Sequence, residues 1–335
     1  MKTLRTTPTM AEVAAAAGVS QQTVSRVLNS NPAVSAKTRQ KVRDAIAALE
    51  YRPNLAARAL VTGNTHIIGV LVSSTSLEGP SGSLLAVEQT ARRDGYWVSM
   101  ASLRSNTAEE ATDVISHFIN QGVDGIIAVA QTQVTVDATL KAVGSMPTVL
   151  VTSGGVPEDC FSVDVDQADC TRQLMTILRG LGHTRIAHVS GPKGDLHAEA
   201  RFAQWRASLP DGADEIVVEG DWSSGSGYRA AMTMLASGVR PTAVFAANDR
   251  MALGVLRALN ERGLHVPTDM SVVGFDDILG VDCAIPPLTT ISQNHSALGS
   301  AAMDLMLEAM DGGPARSVKI PGQLVVRAST AVPAE

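Results

Sequence analysis

The sequence predicts an all-α head of three short helices, followed by an α/β body of two doubly wound parallel-sheet halves. Three observations predict it. Apolar residues recur at helical spacing through the first fifty positions. From Ile67 onward, short β-rich runs alternate with helical stretches. Charge divides at the same place: residues 1–61 carry nine Lys and Arg against three acids, hence +6, which leaves −12 on the remainder of a chain of net charge −6. A basic head on an acidic body suits a nucleic-acid binder with an acidic partner domain, although a solvated surface accounts for a charge run alone. With 335 residues and 45% hydrophobic composition, the chain exceeds one comfortable core, and two or three globular units are expected.

In the head, Thr9-Met10-Ala11-Glu12 fits a capping box, and Met10, Val13, Ala14 and Ala17 follow as one apolar helical face. Gly18 supplies a tight turn. Ser20 caps a second helix with Val24, Val27 and Leu28 inward, and Ser35 caps a third with Val42, Ala45, Ile46 and Leu49 as its stripe. Two short helices joined by a three-residue turn and braced by a third form a helix-turn-helix, whose second helix enters the major groove. Gln pairs bidentately with adenine and Arg with guanine, so Gln21, Gln22 and Arg26 are the candidates for base readout, with Ser20, Thr23, Asn29 and Ser35 nearer phosphates. An ordinary polar helix face explains any one helix equally well; the ordered trio with its basic charge does not reduce to that.

Arg52-Pro53-Asn54 breaks the chain, Asn54 caps a new helix through Leu55 to Val61, and Thr62-Gly63 stops it. So short a helix is unstable alone and needs DNA or its twin. Ala56 and Ala59 permit close packing of two copies, and Leu60 suits an apolar wedge in the minor groove, with Asn54 and Ala57 beside it. A plain linker explains these residues equally well.

In the body, strands are predicted at Ile67–Val72, Trp97–Ala101, Gly125–Ala130, Thr148–Val151, Ile186–Ser190, Ile216–Glu219, Ala243–Ala246 and Ser271–Phe275. Helices fall near Leu84–Asp94, Ala108–Gln121 and Val136–Val143, and the rhythm restarts after Asp166. Ligands of such sheets bind beyond the carboxyl ends of the strands, which makes Ser73, Ser74, Asn248, Asp249, Asp276 and Asp277 candidates. Asp249 reads as a helix cap, and Trp222 as either core or a sugar platform. Asn248, Asp276 and Arg201 would supply hydroxyl hydrogen bonds.

Cys160, Cys170 and Cys283 are odd in number and widely spaced, so buried free thiols are expected rather than a disulfide or zinc site. His183, His188 and His197 lack metal spacing, and neither a cofactor nor a metal is indicated. No apolar run approaches the ~18 residues of a membrane span, and the N-terminus lacks a signal peptide's apolar core, so the cytoplasm is the expected location. An enzyme reading has one motif, Gly225-Ser226-Gly227-Tyr228-Arg229-Ala230, which matches a dinucleotide fingerprint; Asp221 to Ser224 separate it from the preceding strand. Catalysis is not expected.

The strings Thr9-Met10-Ala11-Glu12-Val13-Ala14, Ala17-Gly18-Val19-Ser20, Thr23-Val24-Ser25-Arg26-Val27-Leu28-Asn29 and Tyr51-Arg52-Pro53-Asn54 closely resemble the lactose-repressor family. In the body, Gly220-Asp221-Trp222-Ser223, Ala247-Asn248-Asp249-Arg250-Met251-Ala252, Val273-Gly274-Phe275-Asp276-Asp277 and Ile285-Pro286-Pro287-Leu288-Thr289-Thr290 extend the resemblance over nearly the whole chain. It implies a repressor that dimerises on a pseudopalindromic operator, with Leu60 wedged into the central step, and a periplasmic-binding-protein-like body. The implied divisions are 1–53 for the DNA-binding domain, 54–64 for the hinge and 65–335 for the effector domain, with halves near 65–165 plus 294–322 and 166–293 plus 323–335. The family's sugar contacts fall on Ser73, Leu77, Pro80, Arg201, Trp222, Asn248, Asp276 and Gln293. Two positions depart: Thr152 replaces an acidic contact and His295 an aromatic one. The resemblance implies a small sugar, of the β-galactoside class, that releases the operator. Absence of a leucine-rich C-terminal helix favours a dimer over a tetramer. A corepressor whose ligand tightens DNA binding is the alternative, and the residues leave that sign open.

Overall fold

A computed structural model of the chain describes residues 8–28, 31–51, 63–73 and 78–334, with the backbone alone at 78–80. The predicted hinge helix, with Asn54, Ala57 and Leu60, lies outside the described residues, as do Asn29, Ser74 and Leu77. The chain divides into two units, residues 1–65 and 66–335.

The first unit is three helices: α1 (Met10–Ala17), α2 (Gln21–Leu28) and α3 (Ala36–Ala48). The capping box at Thr9 and Glu12 forms, and Gly18 ends α1 at φ 66°, a left-handed turn that glycine enters without a Cβ clash. Val13, Val24 and Val42, one from each helix, are fully buried, with Tyr51 closing the cluster. This apolar centre fixes the three helices against one another and turns the polar faces outward.

The second unit holds two parallel sheets. In the first, β1 (Ile67–Val72), β2 (Trp97–Ser102), β3 (Gly125–Val129), β4 (Thr148–Val151), β5 (Phe161–Val165) and β11 (Ser317–Ile320) lie in the order β11-β5-β4-β3-β1-β2. Its helices are α4 (Glu78–Arg93), α5 (Ala108–Gln121), α6 (Gln133–Val143) and α11 (His295–Met310), the last packed on α4. In the second sheet, β6 (Ile186–Ser190), β7 (Val217–Glu219), β8 (Ala243–Ala246) and β9 (Ser271–Val273) run β7-β6-β8-β9. Around it lie α7 (Gln167–Gly180), α8 (Leu196–Ala207), α9 (Ser224–Ala236) and α10 (Asp249–Glu261). An antiparallel pair, β10 (Thr290–Ser292) with β12 (Gln323–Val325), joins two of the segments that pass from one half to the other.

Some expectations need correction. The helix expected from Leu84 begins at Glu78, because Pro80 sits in its first turn, where its missing N–H costs nothing. β5, β10, β11 and β12 were not expected; all are short, and β5 carries Asp164 within its run. Of the cysteines only Cys170 is buried, its thiol pushed up to about 11 by burial, while Cys160 is half-buried and Cys283 exposed. Of the two fingerprint-like glycines, Gly227 belongs to helix packing: it lies inside α9 against the Met251 backbone, where a Cβ would collide with main chain, whereas a Cβ at Gly225 would meet side-chain atoms at ordinary distance. Gly227→Ala is therefore expected to lower the unfolding free energy by about 1–3 kcal/mol. An unchanged urea midpoint would contradict this close approach.

Candidate DNA-binding surface and ligand cleft

In the first unit the alternation of α2 sorts its side chains. Val24 and Val27 turn inward, and Gln21, Gln22 and Arg26 are exposed together on the outer face. Ser20 caps this helix by accepting from the Thr23 N–H at 3.2 Å, and its hydroxyl also meets Thr23 Oγ1 at 3.0 Å. Ser35 caps α3 through the Thr38 N–H at 3.2 Å. Both serines are exposed at helix starts, where backbone N–H groups favour an anion.

In the second unit a cavity of about 570 Å³ of non-atom space, mouth included, opens between the two sheets. Its walls come from strand ends, where parallel-sheet sites form. Gln131 follows β3, Val151 ends β4, Trp222 follows β7, Asn248 follows β8, Asp276 follows β9 and Gln293 follows β10. Asp195 caps α8 by accepting from the N–H groups of His197 and Ala198 at 3.0 Å, and that helix presents His197 and Arg201 one turn apart on the cavity side.

Arg201 organises the floor. It is 4% exposed, lies 3.6 Å from the centre of the Phe275 ring, donates from Nε to Gln167 Oε1 at 2.8 Å and from Nη1 to the Ala247 carbonyl, and faces Asp276 with Nη2 at 3.7 Å. Burial pulls its guanidinium pKa down, while Asp276 and Asp195 oppose that shift. Gln293 Nε2 donates to the same Asp276 carboxylate at 2.6 Å. Opposite, His197 Nε2 lies 3.4 Å from Asp164 Oδ1 on β5. Burial lowers the imidazole pKa, but the hydrogen bond and charge of Asp164, with the charge of Asp195, hold it above the ordinary value. The cavity thus contains two opposite-charge pairs and little net charge.

Backbone strain gathers here. Trp222 sits at φ 69°, Asp276 at φ 115° and Asp277 at φ 56°, conformations costing about 1–3 kcal/mol each that persist where surroundings force them. Trp222 Nε1 donates to Asp195 Oδ2 at 3.3 Å, and its ring stands on Gly191, where a Cβ would collide with the indole. The ring is 8% exposed but lines the cavity, so it belongs to core and site together.

The expected site residues divide accordingly. Arg201, Trp222, Asn248, Asp276 and Gln293 line one cavity. Thr152 does not; it lines a neighbouring one. Ser73 is buried and ties β1 to β3, its Oγ accepting from the Gln131 N–H at 3.1 Å. His295 begins α11 and packs its ring toward Gly82, and Pro80 is described by its backbone alone. The cap of α10 is Asn248, which accepts from the Met251 N–H at 2.9 Å, and not Asp249 as expected. Asp249 instead turns inward, accepting from Thr290 Oγ1 at 2.6 Å and the Ile278 N–H at 3.0 Å. Gln131, Asp164 and His197 were missed. His197 had a usable signal, one helical turn before Arg201 on the same face; Asp164, inside an unrecognised strand, had none.

The family described as bacterial regulatory proteins, lacI family, matches residues 9–54, and the periplasmic binding protein-like domain matches residues 176–330. The chain is 38% identical over 332 residues to the lactose operon repressor of Escherichia coli strain K12, covering 97% of this chain and 91% of that one. It is 33% identical to catabolite control protein A of Priestia megaterium, covering 96% and 99%. A crystal structure of the lac repressor dimer bound to operator and the anti-inducer ONPF superposes with TM-score 0.90 at 37% identity, covering 97% of this chain and all of that one. These relatives are transcriptional regulators and not enzymes, and among the described residues no helix is long and apolar enough to cross a membrane. The chain belongs to the lacI family of bacterial regulatory proteins: it is a DNA-binding transcriptional repressor with a ligand-binding domain.

Proposed function

We propose that the protein binds a pseudopalindromic operator as a homodimer and is released when a small neutral sugar, of the β-galactoside class, occupies the Arg201 cavity. The single observation that carries the ligand reading is the internal pairing of its charges. Arg201 is already committed to Gln167, Ala247 and Asp276, and His197 to Asp164, so no cation is left to neutralise a phosphate or carboxylate. What remains is a set of polar edges beside the Trp222 ring, which matches a neutral ring bearing hydroxyls. Similarity to the lactose operon repressor supports the galactoside class, and Asp164 supplies a carboxylate that Thr152 does not. Release requires that the sugar bind one arrangement of the halves more tightly than another, and segment 54–61 is the expected carrier of that difference to DNA.

Calorimetry with neutral sugars against their phosphorylated and aldonic-acid counterparts tests the charge argument. Binding of the neutral set alone is expected; preference for an anionic counterpart would overturn it.

On the DNA side, the exposed trio of α2 makes Arg26→Ala a test of readout. A loss of about 1–3 kcal/mol concentrated at one base position is expected. Equal losses on operator and random duplex in a binding assay would assign Arg26 to phosphate contact instead.

A further inference from the structure

We infer that His197 and Asp164 form a proton-dependent clasp between the two halves of the ligand-binding domain, closed while both imidazole nitrogens carry a proton and released when the ring is neutral. The inference takes the Arg201 cavity as the ligand cleft and does not depend on which ligand fills it. Three contacts join the halves at this wall, all of them at the start of α8. The Leu196 N–H donates to the Gln131 carbonyl at 2.8 Å, Asp195 forms an isolated antiparallel bridge with Thr132, and His197 Nε2 faces Asp164 Oδ1 at 3.4 Å. Gln131 and Thr132 follow β3, whereas Asp164 lies on β5, so one helix start touches the first half at two separate strands. The two backbone contacts do not titrate; the side-chain pair does.

Both nitrogens of the ring face carboxylates, Nε2 that of Asp164 and Nδ1 that of Asp195, whose Oδ1 lies 4.0 Å away. An imidazolium is a donor at both positions; a neutral ring donates from one and turns a lone pair toward a carboxylate at the other. Loss of the proton therefore replaces an attraction with a repulsion on one side. Asp195 cannot withdraw, because it caps the same helix, accepting from the N–H groups of His197 and Ala198 and from Trp222 Nε1. Asp164 belongs to the other half and moves with it. The charged groups facing His197 are Asp164 of β5 and, on its own helix, Asp195 and Arg201; Gln131 after β3 and Ser153 after β4 are neutral, and Ser153 donates to the second oxygen of Asp164. Burial pulls the imidazole pKa down, yet Asp164 and Asp195 together hold it above 6.5. For a base raised in the closed arrangement, the contribution to closure is complete below 6.5 and is lost as pH rises through the raised value.

The test is acrylamide quenching of tryptophan fluorescence in the full-length protein without any ligand, so its failure is separate from a failure of the sugar reading. Of the three tryptophans, Trp205 is fully buried and Trp97 is 68% exposed, so a Trp97→Phe background leaves Trp222, which lines the cavity and donates to Asp195, as the residue that reports opening. Quenching of Trp222 is expected to be weak at about pH 6 and to strengthen by about pH 9, as the clasp releases. Asp164→Asn and His197→Gln, which remove the pair from either side, are each expected to abolish that pH dependence and to leave quenching strong throughout. Trp205 stays unquenched in a folded variant, which separates opening from unfolding. Asp249, whose carboxyl is pushed up to about 7, titrates in the same range, so the series is repeated in Asp249→Asn, where the dependence is expected to persist. Quenching of the parent that ignores pH, a dependence that survives in Asp164→Asn or His197→Gln, or its disappearance in Asp249→Asn would overturn the clasp.

Discussion

Arg201→Ala is expected to abolish ligand binding and to lower the unfolding free energy by about 3–5 kcal/mol, the loss that follows from stranding one member of a buried charge pair. The guanidinium joins four groups from three segments distant in sequence: Gln167 at the start of α7, the Ala247 carbonyl after β8, and the Phe275 ring with the neighbouring Asp276 carboxylate. Removing it leaves Asp276 facing the cavity with Gln293 as its remaining donor of those described above, and withdraws the support under Trp222, whose ring lies 5.6 Å away. Arg201→Lys is expected to rescue little, because an ammonium cannot reproduce a planar fork stacked on a ring. Urea denaturation checks the stability and calorimetry the ligand. A variant as stable as the parent that still binds sugar would contradict the assignment.

Asp249→Asn is expected to stabilise the protein above neutral pH. Burial first, then the charge of Asp276, pushes the Asp249 carboxyl up to about 7 from an ordinary 3.8, although Thr290 and the Ile278 N–H partly oppose the shift. For an acid whose folded pKa is raised, stability is greatest below the unfolded value and falls as pH rises through the folded one. The cost is thus incurred between pH 3.8 and about 7, and at pH 8 it is on the order of 4 kcal/mol. An asparagine can keep both contacts, accepting from Ile278 with its oxygen and donating to Thr290 with its nitrogen. His188 works in the opposite sense: burial pushes it down to about 4, so its protonation removes stability as pH falls from about 6.5 toward 4. The comparison is therefore between Asp249→Asn and its parent at each pH, where the His188 effect cancels. The variant is expected to gain at pH 8 and to converge with the parent near pH 4; a loss at pH 8 would contradict the buried-acid account.

How much of this was legible in the sequence depends on the range of the interactions. Thr9 with Glu12, Gly18, and Ser35 with Thr38 act within four residues, and they form as the sequence indicates. Strands such as Ile67–Val72 and Gly125–Val129 announce themselves because burial on both faces demands continuous apolar runs. Phe161–Val165 does not, since Asp164 and Ser162 occupy the positions that turn away from the core formed by Val163 and Val165. In the site, Arg201, Trp222, Asn248, Asp276 and Gln293 were found by strand-end position and family pattern. Asp164 and His197 meet only when the two halves face each other, and no local spacing encodes that meeting. Asn248 and Asp249 exchanged roles for a similar reason: either side chain can cap a helix, and the partners that draw Asp249 inward, Thr290 and Ile278, lie 41 and 29 residues further along the chain.

The most direct test of the central claim is fluorescence anisotropy of the full-length protein on a labelled palindromic duplex taken from beside its own coding region, titrated with neutral mono- and disaccharides. The account predicts tight binding to that duplex over random DNA, and release by one neutral sugar but not by its phosphorylated form. Tight operator binding indifferent to every sugar, or strengthened by one, would contradict it.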